Sequence, residues 1–208
     1  MKIRNFFAIA LLAPAVALAA PASKSKSQPK PAPVESQRSG DLQGLEVGGF
    51  VGYETSDFSG LALRLDAAMP FRELSPQVKL SFVGSVGYSH LTYDYWFAKF
   101  TSNVFKIVPA ARFTIPVAPQ LDVFGDVGIG LAHIRASWDL PYGFGSASSN
   151  STNLMMRLGV GAWYQANPKI KVGAMIDLDP IFGNYGTDAG GLGSQTFWNL
   201  LVGAMFQI

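Results

Sequence analysis

Leu121-Asp122-Val123-Phe124-Gly125-Asp126-Val127-Gly128-Ile129-Gly130-Leu131 is the stretch that decides the fold. Leu121, Val123, Val127, Ile129 and Leu131 share one parity. Asp122, Asp126, Gly128 and Gly130 share the other, with Phe124 among them. Successive side chains of a β-strand point to opposite faces. The stretch therefore predicts a strand with one greasy face and one small or charged face.

The same period of two recurs from Leu45 onward and predicts eight strands, near 45–54, 60–69, 78–93, 103–117, 121–138, 153–165, 169–179 and 195–208. The second sets Leu61, Leu63, Leu65 and Met69 against Arg64 and Asp66. The seventh sets Ile170, Val172, Ile176 and Leu178 against Lys169, Lys171, Asp177 and Asp179. Repeated glycines such as Gly84, Gly87, Gly128, Gly130, Gly159 and Gly161 would resist a helix. Only His133 and Arg135 break the charge parity, which a bulge or emergence from a membrane would explain. Three connections, Met69 to Gln77, Val117 to Gln120 and Gln165 to Pro168, are short and carry Pro. Ser89 to Ser102, Asp139 to Thr152 and Pro180 to Ser194 are longer.

Alternation alone does not say which face points inward, because a soluble eight-stranded barrel hides its greasy face. Composition does. The chain of 208 residues is 49% apolar and only 14% charged, against about 25% charged in an ordinary soluble domain. Aromatics cluster at the strand ends as two belts would: Tyr93, Tyr95, Trp96, Phe97 and Trp138 at one, Phe71, Phe113, Tyr164 and Phe206 at the other. Residues 1–19 read as a secretory signal peptide, with Lys2 and Arg4, the apolar run Phe6 to Leu18 and the small-x-small site Ala17-Leu18-Ala19. Residues 20–44, rich in Pro, Lys and Ser, read as a disordered periplasmic linker. The fold expected for 45–208 is all-β: an eight-stranded antiparallel up-and-down transmembrane β-barrel with short periplasmic turns and longer extracellular loops.

Loss of Lys2 and Arg4 with the signal takes Lys plus Arg from 16 to 14, equal to the 14 Asp plus Glu. A neutral mature chain gives no reason to expect a nucleic-acid partner. With no Cys, thiolate metal sites and catalytic thiols are excluded. Eight strands leave an interior that side chains can fill. Glu46, Glu54, Arg64, Asp66, Lys79, Lys106, Arg112, Asp122, Asp126, Arg157, Lys171, Asp177 and Asp179 are expected to point into it as a paired network, since unpaired buried charge is costly.

Residues 45–208 resemble the small outer-membrane β-barrel family typified by the OmpA transmembrane domain and OmpX. The last residues are similar to the family's C-terminal assembly signal, with Gly203, Phe206 and Ile208 at its glycine, aromatic and terminal apolar positions. The terminal Ile departs from the usual Phe, and Leu201 stands where a polar residue is common. The resemblance implies insertion by the outer-membrane assembly machinery and no particular activity.

No catalytic, metal or cofactor site emerges. Ser89 and His90 are adjacent, so a strand points them to opposite faces, and no third member of a triad fits. His90, His133, Asp94 and Asp139 make at best a poor metal set. Asp177 and Asp179 share a face as an acid and base would, yet inside a barrel they should meet Lys171 or Arg157. Gly190-Gly191-Leu192-Gly193 lacks the Lys-Ser/Thr of a phosphate loop. The expected role is structural or interactive, as a monomer in the outer membrane of a Gram-negative bacterium after signal-peptide cleavage. The partners are outer-membrane lipid and lipopolysaccharide, or a surface partner through the loops Leu91 to Phe100 and Pro141 to Phe144. A lipid-A-modifying enzyme, a narrow channel and a soluble lipocalin-like binder are the alternatives. Val127→Arg is expected to place charge in lipid and cost about 2–4 kcal/mol at the midplane, measured by unfolding in lipid vesicles, with Asp126→Asn expected to cost less.

Overall fold

A computed structural model describes residues 44–95, 98–139, 146–183 and 195–208, apart from the side chains at 94, 95, 98, 99 and 139. The signal peptide, nearly all of the linker, Trp96, Phe97, the loop Pro141 to Phe144 and Gly190 to Gly193 lie outside the described residues, as do the side chains of Asp94, Tyr95 and Asp139. The strands are β1 (Glu46–Thr55), β2 (Ser59–Ser75), β3 (Val78–Tyr95), β4 (Ala98–Ala118), β5 (Leu121–Asp139), β6 (Ser146–Asn167), β7 (Ile170–Phe182) and β8 (Gln195–Gln207). Each pairs antiparallel with the next, and β1 pairs with β8 from Glu46↔Gln207 to Thr55↔Trp198, so the ring closes. Closure leaves no sheet edge, the condition for strands to cross hydrocarbon that offers no water to bare backbone groups.

The greasy parity faces out all round. Leu65, Ile107, Val127, Ile129, Val160 and Leu200 are all exposed, while Asp66, Lys106 and Asp126 on the opposite parity are buried. Soluble monomers rarely expose contiguous apolar patches beyond a few hundred Å², so this belt is a lipid-facing surface. On β5 it runs from Leu121 to Leu131 and climbs roughly 25 Å at the usual tilt. The same face then becomes polar at His133 and Arg135. The register there is continuous, with Phe105↔His133 and Asn103↔Arg135 and no shift. The parity break is thus the strand leaving the belt, and the bulge reading is corrected.

Strand lengths differ from the sequence reading at both ends. β3 and β4 stay paired up to Tyr95↔Ala98, and β5 and β6 up to Asp139↔Ser146. Much of what reads as long loop is therefore hairpin standing beyond the belt. At the other end β2 passes Pro70 and continues to Ser75, with register shifts between Pro70 and Arg72 and between Glu73 and Ser75. These two ends are called here the loop end and the turn end.

The interior is not a single polar column. Phe50, Val83, Phe124, Trp163, Leu201 and Met205 form a buried apolar layer toward the turn end. Leu91, Val104, Val108, Met155, Ile181 and Phe197 form a second toward the loop end. The face expected to be small or charged thus carries two apolar plugs. Glycines opposite them leave room for rings: Phe124 lies over Gly161, Trp163 over Gly173 and Phe50 over Gly203. Replacing Gly161 with Ala would drive a methyl group into the Phe124 ring and the Ala174 carbonyl, so Gly161→Ala should lower the unfolding midpoint in urea, whereas Gly84→Ala, which meets open space, should not.

Candidate functional site

The charged residues that share the inward parity converge between the two plugs. Among the described residues, Glu54, Arg64, Asp66, Lys106, Arg112, Asp126, Arg157, Asp177 and Asp179 are each at most 3% exposed. Arg64 and Asp66 stand two apart on β2 and so share a face. Arg64 donates to Asp66 through Nε (2.6 Å) and Nη2 (2.8 Å), to Asp177 through Nη1 (2.6 Å) and to Asp126 through Nη2 (3.2 Å). Arg112 lies opposite Asp126 in the β4–β5 register and grips it with Nε and Nη2, both at 2.7 Å. Arg112 Nη2 also reaches Asp66 at 3.0 Å, and the Ser85 hydroxyl donates to Asp66 at 2.7 Å.

A second group lies alongside. Lys106 Nζ donates to Glu54 at 2.5 Å and to Asp179 at 2.9 Å. Arg157 forks onto Asp179 at 2.9 and 3.1 Å, where the Asn199 amide also donates at 3.1 Å. Ser89 donates to Glu54 at 2.7 Å. The two groups touch where Arg157 Nε lies 3.9 Å from Asp177. Compensation is incomplete at Glu54 Oε1, Arg157 Nη1 and Asp177 Oδ1, which have no hydrogen-bond partner among the described residues. Asp177 Oδ1 rests over Gly159, which faces both Asp126 and Asp177 in register.

The plugs meet this layer through their aromatic rings. The Arg112 guanidinium lies 4.5 Å from the Phe124 ring centroid and 5.8 Å from that of Trp163, and Arg64 lies 5.7 Å from Phe50. Lys106 Nζ lies 5.4 Å from the Phe197 ring on the other side. Cations over aromatic faces are stabilised by the ring quadrupole. These rings carry no signal in a period-two reading, because they sit on the polar parity.

The remaining inward candidates stand apart from the layer. Glu46 and Lys171 pair at 2.6 Å across β1 and β7 near the turn end, part-exposed. Lys79 pairs with Glu73 at 3.8 Å in the open. Asp122, part-buried, faces Pro116 and Trp163 in register and makes none of the ion pairs above. Of the terminal signal residues, Phe206 and Ile208 face outward and are exposed, while Gly203 lies under Phe50. Lys171, expected as one partner of Asp177 and Asp179, is engaged with Glu46 instead; Arg64, Lys106 and Arg157 hold the two aspartates.

Chemically, the layer is a paired ionic network with three buried polar atoms left over among the described residues. Each of its carboxylates is engaged by Arg or Lys, and apolar plugs lie on both sides. Ser89 points inward to Glu54 and His90 is exposed outside, so the two cannot act on one substrate. The expectation that Asp126→Asn costs less than Val127→Arg is also corrected, since Asp126 satisfies both Arg112 and Arg64. Breaking a buried pair by removing one partner costs about 3–5 kcal/mol, so Asp126→Asn should rival Val127→Arg. Glu46→Gln, at the part-exposed pair, should cost no more than about 1 kcal/mol. Urea unfolding of the vesicle-inserted protein measures both.

No protein-family model matches the sequence, and no curated protein matches it. Solved structures do. Neisserial surface protein A (NspA) superposes with a TM-score of 0.55 at 16% identity, over 79% of this chain and 96% of that one. A major outer membrane protein from Thermus thermophilus superposes with a TM-score of 0.57 at 14% identity, over 79% of this chain and 98% of that one. At such identities the likeness speaks for fold alone, and it agrees with the closed ring and the apolar belt. In fold, the chain is an eight-stranded antiparallel up-and-down β-barrel similar to these small outer-membrane barrels.

Proposed function

We propose that this chain is a non-enzymatic barrel of the outer membrane of a Gram-negative bacterium, exported through its cleaved signal and acting as a structural or surface-presenting element. The observation that carries the reading is the filled interior. Between two apolar plugs lies a charged layer whose ion pairs join β1, β2, β4, β5, β6 and β7. Ser85 and Ser89 tie β3 to it, and Asn199 ties β8. Such a core favours a rigid membrane staple over a conduit. The outward Phe206 and Ile208 support recognition by the outer-membrane assembly machinery, and the protruding β3–β4 and β5–β6 hairpins supply a surface for a partner.

Fractionation tests location, and electrophoresis of unboiled and boiled samples tests the folded barrel. Recovery in the outer membrane with a heat-dependent mobility shift is expected. Recovery in the soluble fraction would contradict the reading. In planar bilayers the purified protein should give no discrete conductance steps, and reproducible steps would move the assignment to a channel.

A further inference from the structure

The outer wall changes character sharply at the loop end of β3–β6. Just beyond Leu131, Phe105 and Leu154, the register sets His90 beside Asn103, Asn103 beside Arg135, and Arg135 beside Asn150. His133 sits next to Thr152 in the same band. All of these side chains share the outward parity, and His90, His133, Arg135, Asn150 and Thr152 are exposed. The Tyr88 hydroxyl donates to Asn103 Oδ1 at 2.8 Å, and His90 Nδ1 lies 2.9 Å from the same oxygen. His133 Nδ1 lies 2.9 Å from Thr152 Oγ1. Among the described residues, no hydrogen bond engages the Nε2 atom of either histidine.

Arg135 is the charged member of this band, and no carboxylate among the described residues pairs with it. The corresponding outward positions on β1, β2 and β8 are the uncharged Thr55, Ser59 and Thr196. Among the described side chains the patch is local and carries the one positive charge of Arg135; Asp94, Lys99 and Asp139, next along the same parity, have side chains outside the described residues. It lies where acyl chains end and headgroups begin. A lone phosphate would need only the guanidinium. The flanking amides, hydroxyl and imidazoles match the hydroxyl and amide groups of a phosphorylated sugar.

We propose that the outer-wall patch of His90, Asn103, Arg135 and Asn150 seats the phosphorylated sugar headgroup of a lipid-A-type glycolipid in the loop-end leaflet. The proposal rests on the outer-membrane reading above. Arg135 takes the phosphate, and the neighbouring polar groups take the sugar. Because the patch is exposed, added salt should weaken the contact.

The test uses the full chain folded in neutral detergent micelles, with bound lipid counted by native mass spectrometry. The probes are lipid A, dephosphorylated lipid A and phosphatidylglycerol. The wild type should retain lipid A, and Arg135→Gln should bind it about tenfold more weakly, the loss of one charge-assisted contact. Arg135→Lys should recover part of that loss, and dephosphorylated lipid A should bind the wild type as weakly as lipid A binds Arg135→Gln. Equal lipid A binding by wild type and Arg135→Gln would overturn the proposal. So would displacement by an equal concentration of phosphatidylglycerol, which would make the site one for any anionic lipid. Each variant should keep the heat-dependent mobility shift. Loss of that shift in the wild type would instead refute the barrel reading on which the proposal rests.

Discussion

The ladder between β1 and β8 is the constraint from which the rest follows. A strand in hydrocarbon must pair its backbone on both sides, because no water is there to do so. The Glu46↔Gln207 to Thr55↔Trp198 register joins the first strand to the last and removes the two edges an open sheet would leave. Once closed at eight strands, the ring has two faces with opposite solvents. Its outside must be apolar, and its inside is only wide enough for side chains. Each period-two strand then has one acceptable facing.

The narrow interior explains how so much charge is tolerated. Burying an ion is costly unless it is paired and its remaining hydrogen-bonding groups are satisfied. Here three arginines supply planar forks that grip Asp66, Asp126 and Asp179 through two nitrogens each, a geometry Lys could not reproduce. The aromatic plugs serve two ends at once. They fill the lumen above and below, and their ring faces lie against Arg64, Arg112 and Lys106. Ion pairs that join β1, β2, β4, β5, β6 and β7 across the lumen also fix the register of strands whose outer faces, largely aliphatic, specify it weakly.

What the sequence made legible follows from this division of labour. The belt was readable at Leu121 to Leu131 because lipid demands an unbroken apolar parity. The nine charges of the central layer were readable because charges inside a belt have nowhere else to point, whereas Lys79, at the turn end, lies in the open. Parity does not reveal contacts, so the partition of Glu46 and Lys171 from the central layer had to await the structure. Phe50, Trp163 and Phe197 escaped because an aromatic on the polar parity looks like noise in an alternating pattern. Strand ends escaped for a different reason. Beyond the belt both faces of β6 meet water, so Ser146 to Thr152 loses its alternation while keeping its ladder. The break at Arg135 marked that same boundary and now marks the proposed glycolipid seat.

The central claim is that the aliphatic parity lies in lipid and the polar parity in a packed core. Two tryptophans report on it directly. Trp198 is 53% exposed on the outer wall of β8, and Trp163 is 3% exposed within the turn-end plug. Single-tryptophan variants retaining one or the other can be folded into vesicles whose acyl chains carry bromine, a contact quencher of indole fluorescence. Strong quenching of Trp198 with Trp163 nearly untouched is the predicted result. Strong quenching of Trp163 with Trp198 unaffected would turn the barrel inside out and contradict the account.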